Sequence, residues 1–355
     1  MTFTRRELGR IALASIPAGQ VLAAAKPNSI FGGVRIGVIT YSFRALPGSA
    51  EQTLNYCLEC GISGVEMMSN VAESYAGAPL PAGRGGFGQP PARAGAAGSQ
   101  AGPGQPPPGG AAGGAQGRGG RAQMTPEQQE AQRKAAEALR EWRLSVSMDK
   151  YKALRKMYES AGVQIYAFKL PPTMQMSDDE YSYIWNVTEA LGADHVTMEL
   201  PTDDALLKRV ADFAARRKLR IAFHTHGQGG ESGFERVLAA SKYTALNFDV
   251  GHFYGVNGLS PVPVMVKYHD RIASLHLKDR KGPSSSGEGR GGPGGGGPNM
   301  PWGQGETPLV EVLQTMKKNK YRFWASIEYE YQTPEGSDVL TEIKKCVEFC
   351  RKALT

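Results

Sequence analysis

Cysteine is scarce in this chain, with four in 355 residues. That excludes a disulfide framework as the main source of stability, because chains held that way are short and cysteine-dense. Cys57 and Cys60 fall on the first expected helix, Cys346 and Cys350 on the last. They read as ordinary buried thiols, a cross-link between neighbouring helices being the alternative. An uninterrupted apolar run of about 20 residues, the length a membrane-spanning helix needs, is also missing, so no stable membrane insertion is expected. No glycine-rich phosphate-binding turn follows the first strand-like segment, which leaves a doubly wound open sheet without support. Acid is short by seven charges overall, but the excess is local. Residues 1–25 carry Arg5, Arg6 and Arg10 against Glu7, and residues 76–124 carry Arg84, Arg93, Arg118 and Arg121 with no acid. The remainder is close to neutral, so no nucleic-acid partner is expected.

The apolar share of 41% allows one large core in a chain of this length. The start, "MTFTRRELGRIALASIPAGQVLAAAKP", has a twin arginine, a modest apolar stretch and small residues from Ala23 to Ala25. It resembles a twin-arginine export signal over residues 1–25, which implies an extracytoplasmic or periplasmic protein. Two low-complexity runs rich in Gly and Pro, about 76–124 and 282–298, lack the apolar content to offset ordering entropy and read as disordered loop insertions.

Between these runs, strand-like and helical segments alternate. "VRIGVITYSF" (34–43) is followed by helical spacing over 50–60, and "SGVEMMS" by the first insertion. Helical sequence from Thr125-Pro126 to about Ala161, whole or broken, leads to "VQIYAFKL" and a helix over 177–191 closed by Gly192. "DHVTMEL", "RIAFHTH", "ALNFDV", "IASLHL" and "FWASIEY" follow, with helices expected over 203–218, 232–240, 260–270, 307–319 and 337–353. Eight strand-helix pairs in alternation predict a (β/α)8 TIM barrel over 34–353 with two Gly-rich loop insertions.

The strands carry chemistry at their C-terminal ends, where the active sites of such barrels assemble. Strand side chains alternate between faces, so His195, Thr197 and Glu199 share a face, as do Asn247 with Asp249, Ser274 with His276 and Lys278, and Ser326 with Glu328. The opposite sets are apolar and suit the helix layer. Three carboxylates converging without a cation would be driven to protonate, whereas a divalent metal favours their ionised forms. Glu199, Asp249, His276 and Glu328 are accordingly the expected ligands of one Mn2+, Mg2+, Co2+ or Zn2+ ion. His226, at the lip of its strand, is expected to touch substrate, while His224 reads equally well as a satisfied core histidine. Glu66, Lys169, Lys278 and Asp279 either hold substrate hydroxyls or pair with other charges. Trp302 either covers a bound sugar or packs. His195 lies too deep for the site, and His269 reads as a surface group.

The order Glu at the fourth strand, "DVGH" at the sixth, "HLKD" at the seventh, "WGQGE" before the next helix and "IEYE" at the eighth resembles the xylose isomerase-like barrels. These are sugar isomerases and epimerases, together with an apurinic endonuclease branch. The resemblance covers 34–353 apart from the insertions. It implies a divalent metal on Glu199, Asp249, His276 and Glu328, substrate contact at His252, and an acid/base role for Glu199 and Glu328. The implied reaction is isomerisation or epimerisation of a free or glycosidic sugar by proton transfer through an enediolate. A lyase or hydrolase of keto-glycosides using the same site, or a non-catalytic sugar-binding protein, are the alternatives. The endonuclease branch needs histidines that "VEMMSN" and "YAFKL" do not offer. The expected partner is a small sugar, with room left for a homo-oligomer.

Overall fold

A computed structural model describes residues 26–79, 125–227, 230–283 and 296–355. The expected leader and most of both Gly-rich runs lie outside the described residues. A short strand β1 (Ile30–Phe31) pairs antiparallel with β2 (Val34–Ile39). The parallel order then runs β2, β3 (Gly64–Met68), β4 (Gln164–Lys169), β5 (His195–Glu199), β6 (Arg220–His224), β7 (Thr244–Asp249), β8 (Ile272–Leu277) and β9 (Trp324–Ile327). β9 pairs back onto β2, with Arg35 opposite Trp324 and Val38 opposite Ile327. The sheet is thus closed, and the eight parallel strands form the expected (β/α)8 barrel.

Helices alternate with the strands: α1 (Ala50–Glu59), α2 (Ser69–Ala76), α3 (Pro126–Ser145), α4 (Asp149–Ser160), α5 (Asp178–Leu191), α6 (Asp204–Arg217), α7 (Gly230–Ala239), α8 (Val250–Asn257), α9 (Val262–Lys267), α10 (Leu309–Asn319) and α11 (Val339–Leu354). Their starts are written in the sequence. Ser49, Thr125 and Ser177 each form a reciprocal capping box with a Gln or Glu three residues on, worth about 1 kcal/mol apiece. The long helical stretch breaks at Val146, whose backbone is extended.

Two helices depart from expectation. α2 fills the stretch between β3 and the Gly-rich run, where no regular element was expected. α8 begins at the residue after Asp249, within a stretch whose two glycines weaken helix propensity. Packing decides the second case. A Cβ at Gly251 would lie 2.6 Å from the Lys278 carbonyl oxygen, so only glycine lets α8 lie against the end of β8.

Outward-facing Val196, Met198, Leu246, Phe248, Leu275 and Ile327 are buried under the helices, each large side chain contributing roughly 1.5–3 kcal/mol by removal from water. The interior is polar towards its upper half, as alternation predicts. Thr197 donates to Glu66 (2.7 Å), Asn247 donates to Ser274 (2.7 Å) and Glu66 (3.2 Å), and His195 Nε2 meets Ser274 Oγ at 3.1 Å. These bonds tie β3, β5, β7 and β8 together across the barrel. The four cysteines are free and buried. Burial pushes the Cys60 thiol up to about 12, so these are unreactive core groups.

Candidate metal and proton-transfer site

The strand ends place Asp249, His276 and Glu328 together with His224. One ligand-capable atom from each lies within 4.8 Å of the others, and all four residues are buried. Asp249 has two roles: it ends β7 and caps α8, with the His252 N–H donating to Oδ1 at 2.7 Å. Its other oxygen, Oδ2, is buried and accepts no well-directed hydrogen bond, although Lys278 Nζ is 3.1 Å away. An acceptor in that condition suits a cation.

The electrostatics separate the acids. Burial and the nearby Glu328 charge hold the Asp249 carboxyl above its ordinary range despite Lys278. Burial acts on Glu328 too, but Lys278 and His276 outweigh it and hold that carboxyl well below the usual range. Burial also disfavours a charged His276, yet Glu328 (2.5 Å from Nδ1) and Glu66 (2.8 Å from Nε2) raise it to about 10. Lys278 is nearly solvent-free and sits 3.0 Å from Glu328, 3.1 Å from Asp249 and 2.8 Å from Glu330. These carboxylates outweigh burial and raise its pKa.

His224 supplies what the sequence left open. Its Nδ1 lies 2.8 Å from Asn247 Oδ1, while the amide of Asn247 donates elsewhere. Nδ1 therefore carries the proton and the Nε2 lone pair faces Asp249, 3.9 Å from Oδ2. Burial, then Lys169 and His276, drive its pKa well below normal, so the ring is neutral as a metal ligand must be.

Glu199 is not gathered with the other three expected ligands. It meets Lys169 at 3.0 Å and His226 Nδ1 at 3.0 Å, and its side chain remains partly exposed at the mouth. Burial opposes its charge, but His226, His224 and Lys169 hold the carboxyl far below its usual range. His226 is partly exposed beside it, with its ring 4.5 Å from that of His252. His252 is buried. Arg280 Nη1 donates to its Nδ1 at 2.5 Å, and Nε2 stands 2.7 Å from Lys278 Nζ. Burial, then the charges of Lys278 and Arg280, keep this ring neutral.

Of the two readings held for Glu66, the substrate contact is corrected. It is fully buried beneath the cluster, and both oxygens are used by Thr197, Asn247 and His276. Burial opposes its ionisation, but His276 outweighs this and lowers its pKa to about 2. Asp279 fastens a loop, accepting from the backbone N–H groups of Gly303, Gly305 and Thr307. Trp302 packs edge-on against Phe349 of α11. Arg280, not singled out in the sequence, is fully buried, orients His252 and also donates to the Gly297 carbonyl. Its place in "HLKDR" was the available signal.

Residues 205–352 match the family described as xylose isomerase-like TIM barrel. An inosose dehydratase of Clostridium botulinum is 33% identical over 78 residues, which is 21% of this chain and 26% of that protein. The chain therefore aligns with about a quarter of that curated relative's length. Among solved structures, a xylose isomerase domain protein from Alicyclobacillus acidocaldarius superposes with a TM-score of 0.55 at 13% identity, over 90% of this chain and 99% of that one. A probable 3-DHS dehydratase from Bacillus anthracis gives 0.54 at 11%, over 89% and 98%. A sugar phosphate isomerase/epimerase from Parabacteroides distasonis gives 0.51 at 14%, over 92% and 96%. The chain has the fold of these proteins, and over residues 205–352 its sequence matches that of the xylose isomerase-like TIM barrels.

Proposed function

We propose that this protein is a divalent-metal-dependent enzyme that moves a proton beside the carbonyl of a sugar or related keto-polyol, as an isomerase or epimerase. The carrying observation is the buried group of His224, Asp249, His276 and Glu328 at the C-terminal mouth of the barrel. Its donors are two imidazoles and two carboxylates, a mixed set suited to Mn2+, Co2+ or Zn2+, with Mg2+ the hardest candidate. The acceptor Asp249 Oδ2, lacking a directed hydrogen bond, fits that use. His276 would offer Nδ1 while keeping Nε2–H on Glu66, the usual support of a ligating imidazole. When bound, the ion would polarise the carbonyl and acidify the neighbouring C–H.

The remaining work falls to the chain. Glu199, exposed at the mouth and ionised, is placed to remove the proton, with Lys169 and His226 orienting its carboxylate. Glu328, ionised beside Lys278, would relay a proton from that ammonium to the other face. His226, partly exposed, and the neighbouring His252 ring would hold hydroxyls, with Arg280 and Lys278 holding the His252 ring in place. Lys278 balances the acids and can follow a developing oxyanion.

Dehydration is the second reading, favoured by the local match to an inosose dehydratase. It begins with the same proton removal and ends in loss of a β-hydroxyl. The Arg5-Arg6 leader supports action outside the cytoplasm on an unphosphorylated sugar. The deciding experiment incubates metal-loaded protein with free ketoses and inososes in deuterated water. Deuterium at carbon with conserved mass formula supports isomerisation, and loss of water supports the second reading. No exchange with any metal would overturn both.

A further inference from the structure

At the opposite mouth of the barrel lies a cavity of about 520 Å³ lined by residues at strand starts and the turns before them. Arg35 comes from β2, Arg220 from β6 and Trp324 from β9, while Asp194 precedes β5 and Lys320 with Arg322 joins α10 to β9. A barrel base is ordinarily filled by apolar side chains. Here four permanent cations, Arg35, Arg220, Lys320 and Arg322, face one carboxylate, Asp194. That carboxylate is already engaged by the His195 ring and stands 3.6 Å from Arg220. His269 closes one side, stacked on Tyr321 with ring centroids 5.1 Å apart. The Arg35 guanidinium is half-buried over Trp324, 5.8 Å from its ring centre.

The backbone adds a separate indication. α2, α5 and α8 end on glycines in the left-handed conformation, Gly77, Gly192 and Gly258. α10 instead ends on Lys320 at φ +56°, and α6, two residues before Arg220, on Lys218 at φ +54°. A side chain there costs roughly 1 kcal/mol or more that glycine would avoid. At Lys320 the cost places positive charge on the lining of a cavity that already has an excess of it.

We propose that this N-terminal cavity is a binding site for a multiply charged oxyanion of the phosphate or sulfate class, free or carried as a small ester. The anion would relieve repulsion among the guanidiniums and accept paired N–H bonds from Arg220 and Arg322, the geometry arginine offers to tetrahedral oxyanions. The site is independent of the metal cluster at the other mouth.

The test is calorimetry on the full chain at about 0.15 M salt, using inorganic phosphate, inorganic sulfate, pyrophosphate and glucose 6-phosphate as probes. One-to-one saturable binding of at least one probe is expected, and the ranking of free against esterified anion identifies the source. The exposed pair Lys320→Gln/Arg322→Gln should weaken binding about tenfold or more, and Asp194→Asn should strengthen it several-fold. A control pair on another face, Lys152→Gln/Lys208→Gln, should change little. Absence of saturation with all four probes would overturn the proposal. So would equal affinity in the Lys320/Arg322 variant, or equal losses in the control pair.

Discussion

The two mouths of the barrel are made from the same eight strands yet carry opposite chemistry. At the strand ends, Glu66, Glu199, Asp249, Glu328 and Glu330 meet Lys169, Lys278 and His276, and each acid has a partner within 3.1 Å. At the strand starts, four cations face one acid around an open hollow. The contrast teaches that local charge density means little until its pairing is known. The balanced mouth has strongly displaced pKa values because its charges are buried and close. The unbalanced mouth is more exposed, with Asp194, Lys320 and Arg322 open to solvent, and its excess shows as a field.

Breaking the balanced mouth should have the largest effect. Glu328→Gln keeps shape and hydrogen-bonding capacity but removes charge, so substrate proton exchange should fall by about 10²–10⁴-fold, while the circular dichroism spectrum is unchanged. Retained exchange would remove Glu328 from the mechanism. Glu66→Gln acts one step further away by loosening His276, and metal affinity by equilibrium dialysis should fall about 10–100-fold. Unchanged affinity would make Glu66 a packing group only.

The same pairing predicts a pH dependence for metal-free protein. His276 has a folded pKa raised from 6.5 to about 10, so its contribution to stability is full below 6.5 and lost as pH rises through about 10. Glu66 is lowered from 4.5 to about 2, so its contribution is present above 4.5 and lost as pH falls through about 2. Melting temperature should therefore decline on both sides of neutrality, and His276→Gln should flatten the alkaline side. An alkaline decline that persists unchanged in that variant would assign it to other groups. The smallest effect belongs to the other mouth: Lys320→Gly should raise stability by up to about 1 kcal/mol through relief of the left-handed backbone, with metal binding untouched. A loss of stability would show that the lysine side chain contributes more than its backbone strain costs.

Much of this site was legible in the sequence. Alternating apolar and polar residues in "HVTME", "ALNFD" and "IASLHL" assigned the inward faces correctly, as the bonds among Thr197, Asn247, Ser274 and Glu66 show. Asp249, His276 and Glu328 stood out because a charged group at the end of a buried strand needs a reason. His224 did not, because its role depends on its Nδ1–H donating to Asn247 Oδ1 on a neighbouring strand. Glu199 looked like a fourth ligand because nothing local reveals that Lys169 and His226 stand beside it. α8 was hidden by its own glycines, which serve contacts with Lys278 and Arg280.

By itself, the sequence determined the succession of the eight barrel strands and most of the helices, the face each strand turns inward and the chemical types at the strand ends. These follow from periods of two and 3.6 residues and from short-range hydrogen bonds, which a linear chain displays openly. Closure of β9 onto β2, the partner of each charge, the tautomer of His224, and the gathering of Arg35, Arg220 and Arg322 around one cavity were decided only in three dimensions. Electrostatic interaction depends on distance and burial, and residues separated by a hundred or more positions acquire both only when the barrel closes.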